Sequence, residues 1–250
     1  MLSEYMKYLK NFKSFFFNNK IKYHDVKKLL SPGDLFFDVG AHIGSKSKEL
    51  IKDKLNVVMI EPQPECLKKL RKLYSHNPLV TIVPMGLGTS KQKLEMSINS
   101  RLPTISTFAE HWKTGRFSDT TWDKKIIVDI TTLDELITQY GSPKFIKIDV
   151  EGFEHEVLLG LTQKTGIISF EFTSEFTENA FKSIDYLVSL GYSDFNYSLA
   201  EEKKFSTDWT NANRIKEYIK KNIEEDKLLW GDFYCKWLIL LWNNKNFCQN

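Results

Sequence analysis

The chain has 250 residues, 42% of them hydrophobic, enough for one sizeable core; this argues for a single α/β domain with an insertion rather than two full domains. Its 35 basic and 32 acidic residues leave a net charge of +3, which gives no electrostatic footprint for nucleic acid. Cys66, Cys235 and Cys248 lie far apart in no metal or redox spacing, and neither a secretory leader nor a membrane-spanning apolar run is visible, so reduced thiols and a cytoplasmic location are expected.

Residues 1–30 read as an N-terminal helical extension to a domain over 31–250. Tyr5, Tyr8, Leu9, Phe12 and Phe16 recur at helical spacing, as expected of a leading helix packed onto the domain. The cluster Phe12, Phe15, Phe16 and Phe17 among lysines also suits a membrane surface or a second copy in a homodimer. Pro32-Gly33-Asp34 then turns the chain into an apolar strand at 35–39, of the kind buried on both faces. A helix at 45–54, a strand at 56–61, a helix at 64–74 and a strand at 79–83 follow, and this alternation predicts parallel pairing. After Gly86-Leu87-Gly88 and a short strand at 93–98 the alternation lapses. Residues 99–125, rich in Ser, Thr, Trp and His, are expected to form a loop or small lid. Strands at 126–130, 144–150, 167–172 and 192–197 then alternate with helices at 133–139, 153–161 and 178–190, the last closed by Gly191. A charged helical insertion at 201–229 precedes a last apolar strand at 233–242.

Residues 35–50 have the layout of a nucleotide-type cofactor site, in which a strand turns tightly into a helix start. Gly40 lets the backbone come close, and Gly44 keeps the helix start near the sheet. Asp38 can accept a bond from a ribose hydroxyl or help hold a cationic aminoacyl group. The pattern is D-x-G-x-x-x-G, without the middle glycine that admits a pyrophosphate, which argues against a nicotinamide oxidoreductase. Glu61, at the end of the following strand, can accept both hydroxyls of an adenosyl ribose.

The stretch from Lys147 to Gly160 carries more charge than a buried strand tolerates without partners. By strand alternation Lys147, Asp149 and Glu151 share one face, with Ser169 and Glu171 at the corresponding positions of the next strand. They form either a self-neutralising ion cluster or a reactive site beyond the carboxyl ends of the strands.

These stretches resemble the FkbM-type family of S-adenosylmethionine-dependent methyltransferases, through FFDVGAHIGSKS, VVMIEPQPECLKKLR and above all KFIKIDVEGFEHEVLLG followed by IISFEF. His42 departs from the family, where Asn is common. The resemblance implies a Rossmann-like class I fold, with a mostly parallel seven-stranded sheet, helices on both faces and the inserted lid region. It implies S-adenosylmethionine as cofactor, held by Asp38, Gly40, Ala41, His42, Ile43, Gly44, Glu61, Pro62, Met85, Gly86 and Asp149. O-methylation of a small-molecule or glycan hydroxyl follows, a sugar hydroxyl being favoured. The hydroxyl must lose its proton. Asp149 is the first candidate base, then Glu151 and Glu154, with His155 behind them, and Lys147 and Glu171 complete the catalytic group. No metal is expected, although Asp149 and Glu171 could instead hold a divalent cation. Arg101, His111, Trp112 and Trp122 either contact the acceptor or serve as lid packing and surface. The alternative function is a catalytically inactive cofactor-binding scaffold in a glycan-assembly system.

Overall fold

The computed structural model describes residues 24–114, 117–200 and 204–237. The aromatic N-terminal segment up to residue 23, Cys248 and the last expected strand beyond 237 lie outside the described residues.

Helix α1 (His24–Lys27) leads into β1 (Leu35–Val39), α2 (Ser47–Lys52), β2 (Asn56–Ile60), α3 (Pro64–Tyr74) and β3 (Val80–Val83). After an insertion come α4 (Leu133–Tyr140), β7 (Phe145–Ile148), α5 (Glu154–Leu158), β8 (Ile167–Thr173), α6 (Thr177–Ser189), β9 (Asp194–Leu199), α7 (Ala212–Glu225) and β10 (Trp230–Lys236). Seven strands form one sheet in the order β3-β2-β1-β7-β8-β10-β9. The first five pair in parallel, and β10 runs antiparallel to both its neighbours. This is the Rossmann-like sheet expected from the resemblance.

Strand alternation divides the core into two layers. Phe37, Val39, Val58, Ile60, Ile146, Ile148, Ile168 and Phe170 face the apolar sides of α4, α5, α6 and α7. Phe36, Val57, Met59, Phe145 and Ile167 face Val26, Leu50 and Leu70 of α1, α2 and α3. Phe36 and Phe145 stack across adjacent strands at 5.1 Å between centroids. With both faces covered, β1, β2 and β7 are mainly apolar runs, with Asp38 and Lys147 toward the carboxyl ends of β1 and β7 and an exposed Asn56 opening β2. Thr132 caps α4 by accepting from Glu135 N (3.2 Å), and Gly191, at φ +92°, ends α6 as expected.

Three points add to or change these expectations. First, the strands expected on either side of residues 99–125 pair in a separate three-stranded sheet, built from β4 (Gly86–Leu87), β5 (Gln92–Ile98) and β6 (Lys124–Thr131). Two 3₁₀ turns, Pro103–Ile105 and Glu110–Lys113, bring Ile105, Ala109, Trp112 and Phe117 into a small apolar cluster of their own. Second, β7 stops at Ile148, so Asp149 and Glu151 leave the strand alternation that was to set them on one face with Lys147. Third, the last strand begins at Trp230, earlier than its apolar run suggests, because Trp230 pairs with Thr173 and Gly231 with Phe172 on β8. The charged segment before it does form a helix, α7, whose Ile215 and Ile219 are fully buried.

Candidate active site

A cleft of about 1080 Å³, open solvent included, lies beyond the carboxyl ends of β2, β1, β7 and β8. Its first wall is the turn after β1. Gly40 has φ +79°, and a Cβ there would fall 1.9 Å from the Asp149 carbonyl oxygen, so only glycine lets this turn touch the end of β7. His42 sits at φ +50°, a left-handed conformation that an Asn also adopts readily. Its backbone N–H donates to Glu61 Oε2 at 2.8 Å, and Gln63 N donates to Glu61 Oε1 at 2.8 Å. Glu61 is 2% exposed, and burial pushes its carboxyl up to about 7. Burial, with Lys46 and Lys69 adding to it, pulls the His42 imidazole down to about 4 and keeps it neutral.

Gly40, Ala41, His42, Glu61, Pro62, Met85 and Gly86 all wall the cleft. Asp38, Ile43 and Gly44 do not. The Asp38 carboxylate is fully buried and accepts from Ser47 Oγ at 2.5 Å, so it braces the first turn of α2. A Cβ on Gly44 would meet Tyr74 Cε2 at 2.7 Å and Leu70 Cδ2 at 3.1 Å, so this glycine packs the turn against α3.

The second wall is the segment after β7. Glu151 (φ +58°) and Gly152 (φ +90°) are consecutive left-handed residues. For a glutamate this costs about 1 kcal/mol or more. Local hydrogen bonds hold it: Glu154 Oε1 accepts from Val150 N (3.0 Å) and Gly152 N (3.2 Å), and Thr107 Oγ1 donates to the Glu151 carbonyl (2.7 Å). The kink turns Glu151 toward Asp149 and Glu171, and the three carboxylates place oxygens within 4.8 Å of one another. All three wall the cleft, whereas Glu154 and Lys147 do not. Burial, then repulsion from Glu171 and Glu154, raises Glu151 well above the usual carboxylate range. Such a convergence suits a shared proton or a divalent cation.

Lysines balance the charge. Lys147, 1% exposed, is paired with Asp232 on β10 and lies 3.8 Å from Asp149 Oδ2. Lys46, in the turn before α2, is ion-paired with Asp149 and also walls the cleft. Sequence reading missed both Lys46 and Asp232. The glycine pattern drew attention to residues 38–44 only, and Asp232 faces Glu171 through an antiparallel register that spacing does not reveal.

The insertion closes the cleft from above. Trp112, 3% exposed, lies over Gly152, where a Cβ would fall 2.8 Å from its ring. Its Nε1 and Thr173 Oγ1 are buried without a hydrogen-bond partner among the described residues, and both residues wall the cleft beside Glu171. His111 packs edge-on against Phe176 at 4.7 Å, Trp122 joins the lid's apolar cluster, and Arg101 is exposed. None of these three walls the cleft. His155 Nδ1 is 3.1 Å from Ser183 Oγ, facing a separate, smaller cavity.

Residues 38–199 match the family model described as the methyltransferase FkbM domain. The chain belongs to the FkbM methyltransferase family. Its cofactor is S-adenosylmethionine, and it is a methyltransferase. A hexuronic acid methyltransferase, AglP, from Haloferax volcanii is 26% identical over 192 residues, 74% of this chain and 69% of the relative. Among solved structures, precorrin-6y C5,15-methyltransferase from Geobacter metallireducens matches with a TM-score of 0.44 at 13% identity, covering 84% of this chain and 82% of that one. Aeropyrum pernix fibrillarin, solved with bound S-adenosyl-L-methionine, matches with a TM-score of 0.43 at 9% identity, covering 82% of this chain and 67% of that one. No helix among the described residues is long and apolar enough to cross a membrane.

Proposed function

We propose that this methyltransferase transfers a methyl group to a hydroxyl of a glycan or other polyhydroxyl acceptor, with a sugar hydroxyl as the favoured target. The observation that carries the reading is the convergence of Asp149, Glu151 and Glu171 in the cofactor cleft itself. A hydroxyl acceptor needs its proton removed, and a carboxylate held above its usual range is a competent base near neutral pH. The AglP relative, named for a hexuronic acid, supports a sugar acceptor.

The residues present fit the cofactor. Glu61 offers a carboxylate for the two ribose hydroxyls, Met85, Leu87 and Phe108 offer an apolar slot for the adenine, and the 40–42 turn lies between Glu61 and Asp149. Bound there, S-adenosylmethionine supplies an electrophilic methyl group on a sulfonium. The cleft holds the acceptor in line with it, and such orientation is worth up to about 7–11 kcal/mol in ideal cases. With the cofactor bound there, a carboxylate of the Asp149, Glu151 and Glu171 cluster would take the proton of the acceptor hydroxyl. Trp112 and Thr173 line the cleft beside Glu171, and the indole covers this end of it. A cytoplasmic location belongs to the same proposal and rests on Cys66 and Cys235 being buried free thiols.

The test is transfer of labelled methyl from S-adenosylmethionine to pooled neutral and uronic sugar glycosides. Label appearing in an acceptor, and lost with Glu151→Gln, is expected. Tight cofactor binding with no transfer to any sugar would instead favour the non-catalytic scaffold.

A further inference from the structure

The cofactor's aminoacyl end is a zwitterion, and a buried site must compensate both of its charges. The cleft already holds a zwitterion of its own. Lys46 and Asp149 are ion-paired on its wall, with side chains only 14% and 11% exposed. Their place in the sheet is informative. Glu61 follows β2 and Asp149 follows β7, with β1 and its turn between them, so the two carboxylates stand two strand spacings apart, roughly 10 Å. The turn cannot drift from Asp149, because Gly40 abuts its carbonyl oxygen and Asp149 N donates to Val39 O at 3.0 Å. A ligand anchored by its ribose at Glu61 and lying along the turn reaches Lys46 and Asp149 with its far end.

We propose that Lys46 and Asp149 form the receptor for the aminoacyl group: their ion pair parts as the cofactor enters, Lys46 taking the carboxylate and Asp149 the ammonium, and the role of base falls to Glu151. The inference rests on the cleft being the S-adenosylmethionine site. The exchange leaves every charge compensated before and after, which separating a buried pair otherwise forbids. Lys147, 3.8 Å from Asp149 Oδ2 and itself fixed by Asp232, keeps a second cation beside Asp149 throughout. Asp149 engaged by an ammonium is no longer available to an acceptor proton. Glu151, turned into the cleft by its left-handed backbone and set against Glu171, is.

Calorimetry on the full chain with three ligands separates the roles. They are S-adenosylhomocysteine, its decarboxylated analogue, and 5′-methylthioadenosine, which lacks the aminoacyl group. Lys46→Met is expected to weaken S-adenosylhomocysteine about 10- to 100-fold and to leave the other two unchanged. Asp149→Asn is expected to weaken the first two and spare the third. Lys46→Arg restores binding, which shows that a loss in Lys46→Met is not misfolding. Glu151→Gln binds S-adenosylhomocysteine as the wild type does but loses methyl transfer. Equal losses for all three ligands in Lys46→Met, no loss for any, or a transfer-competent Glu151→Gln overturns the assignment. A wild-type chain that binds none of the three overturns the cofactor reading instead.

Discussion

The two ends of the cleft are built on opposite principles. At the β1–β2 end the backbone does most of the work: Glu61 is held by the N–H groups of His42 and Gln63, and Gly40 touches the Asp149 carbonyl directly. At the β7–β8 end side-chain charge does it, with Asp149, Glu151, Glu154, Glu171 and Asp232 set against Lys46 and Lys147. Backbone donors neither titrate nor disappear on substitution, so the first end is vulnerable to added atoms. The second is vulnerable to removed or shifted charges. A bound cofactor spans both, so its affinity draws on Glu61 and the turn at the first end and on the proposed Lys46 and Asp149 receptor at the second, whereas transfer is largely a property of the second.

The sharpest way to break this contrast is Gly40→Ala. The new methyl group would overlap the Asp149 carbonyl at 1.9 Å and force a left-handed alanine, so a loss of about 2–5 kcal/mol in denaturant-measured stability is expected, with cofactor binding abolished. A stable Gly40→Ala protein that binds S-adenosylhomocysteine would show that the turn is not pinned to β7.

Next in size is Glu61→Gln, expected to weaken S-adenosylhomocysteine by about 10- to 100-fold at pH 8. The wild-type pH dependence has a definite sign. Burial holds Glu61 up to about 7, while ribose hydroxyls donate to its ionised form, so binding lowers that pKa and releases a proton. Affinity is full above pH 7 and falls by up to about tenfold per unit as the pH drops below it. Calorimetry between pH 5.5 and 8.5 checks this, the range bracketing the value of about 7, and Glu61→Gln should flatten the profile.

A smaller effect is expected at the charged end from Gly152→Ala. The φ of +90° and the 2.8 Å approach to the Trp112 ring cost about 1–2 kcal/mol, since the ring can shift where a carbonyl cannot. Transfer should fall more than cofactor affinity, as measured by kcat against the dissociation constant of S-adenosylhomocysteine. The smallest effect is expected from Glu154→Gln. Oε1 of a glutamine still accepts from Val150 N and Gly152 N, and burial with Glu171 nearby already raises Glu154 to about 7, so near neutrality stability should change by less than about 1 kcal/mol and kcat should largely persist. A collapse of kcat with the fold intact would return Glu154 to the role of base.

Much of this was legible in the residues. The apolar runs at 35–39 and 56–60 announce strands covered on both faces, and an acidic residue at the second strand's end marks one side of the cleft. The charged segment after Ile146 announces that something beyond packing happens there. Other features were hidden because they depend on registers between distant segments. Asp232 meets Lys147 only after β10 inserts antiparallel beside β8, and Trp112 meets Gly152 only after the insertion folds over the sheet.

The sequence by itself determined the alternation of elements, the glycine turn and the family, because each is written in local spacing: two-residue periods, left-handed glycines and a contiguous charged motif. Only the tertiary structure decided which charges meet. Ending β7 at Ile148 released Asp149 and Glu151 from strand alternation, and the left-handed pair at 151–152 then turned Glu151 into the cleft while Lys46 closed on Asp149. Pairings of this kind follow from where a strand stops and what packs over it, and both are settled by contacts far along the chain.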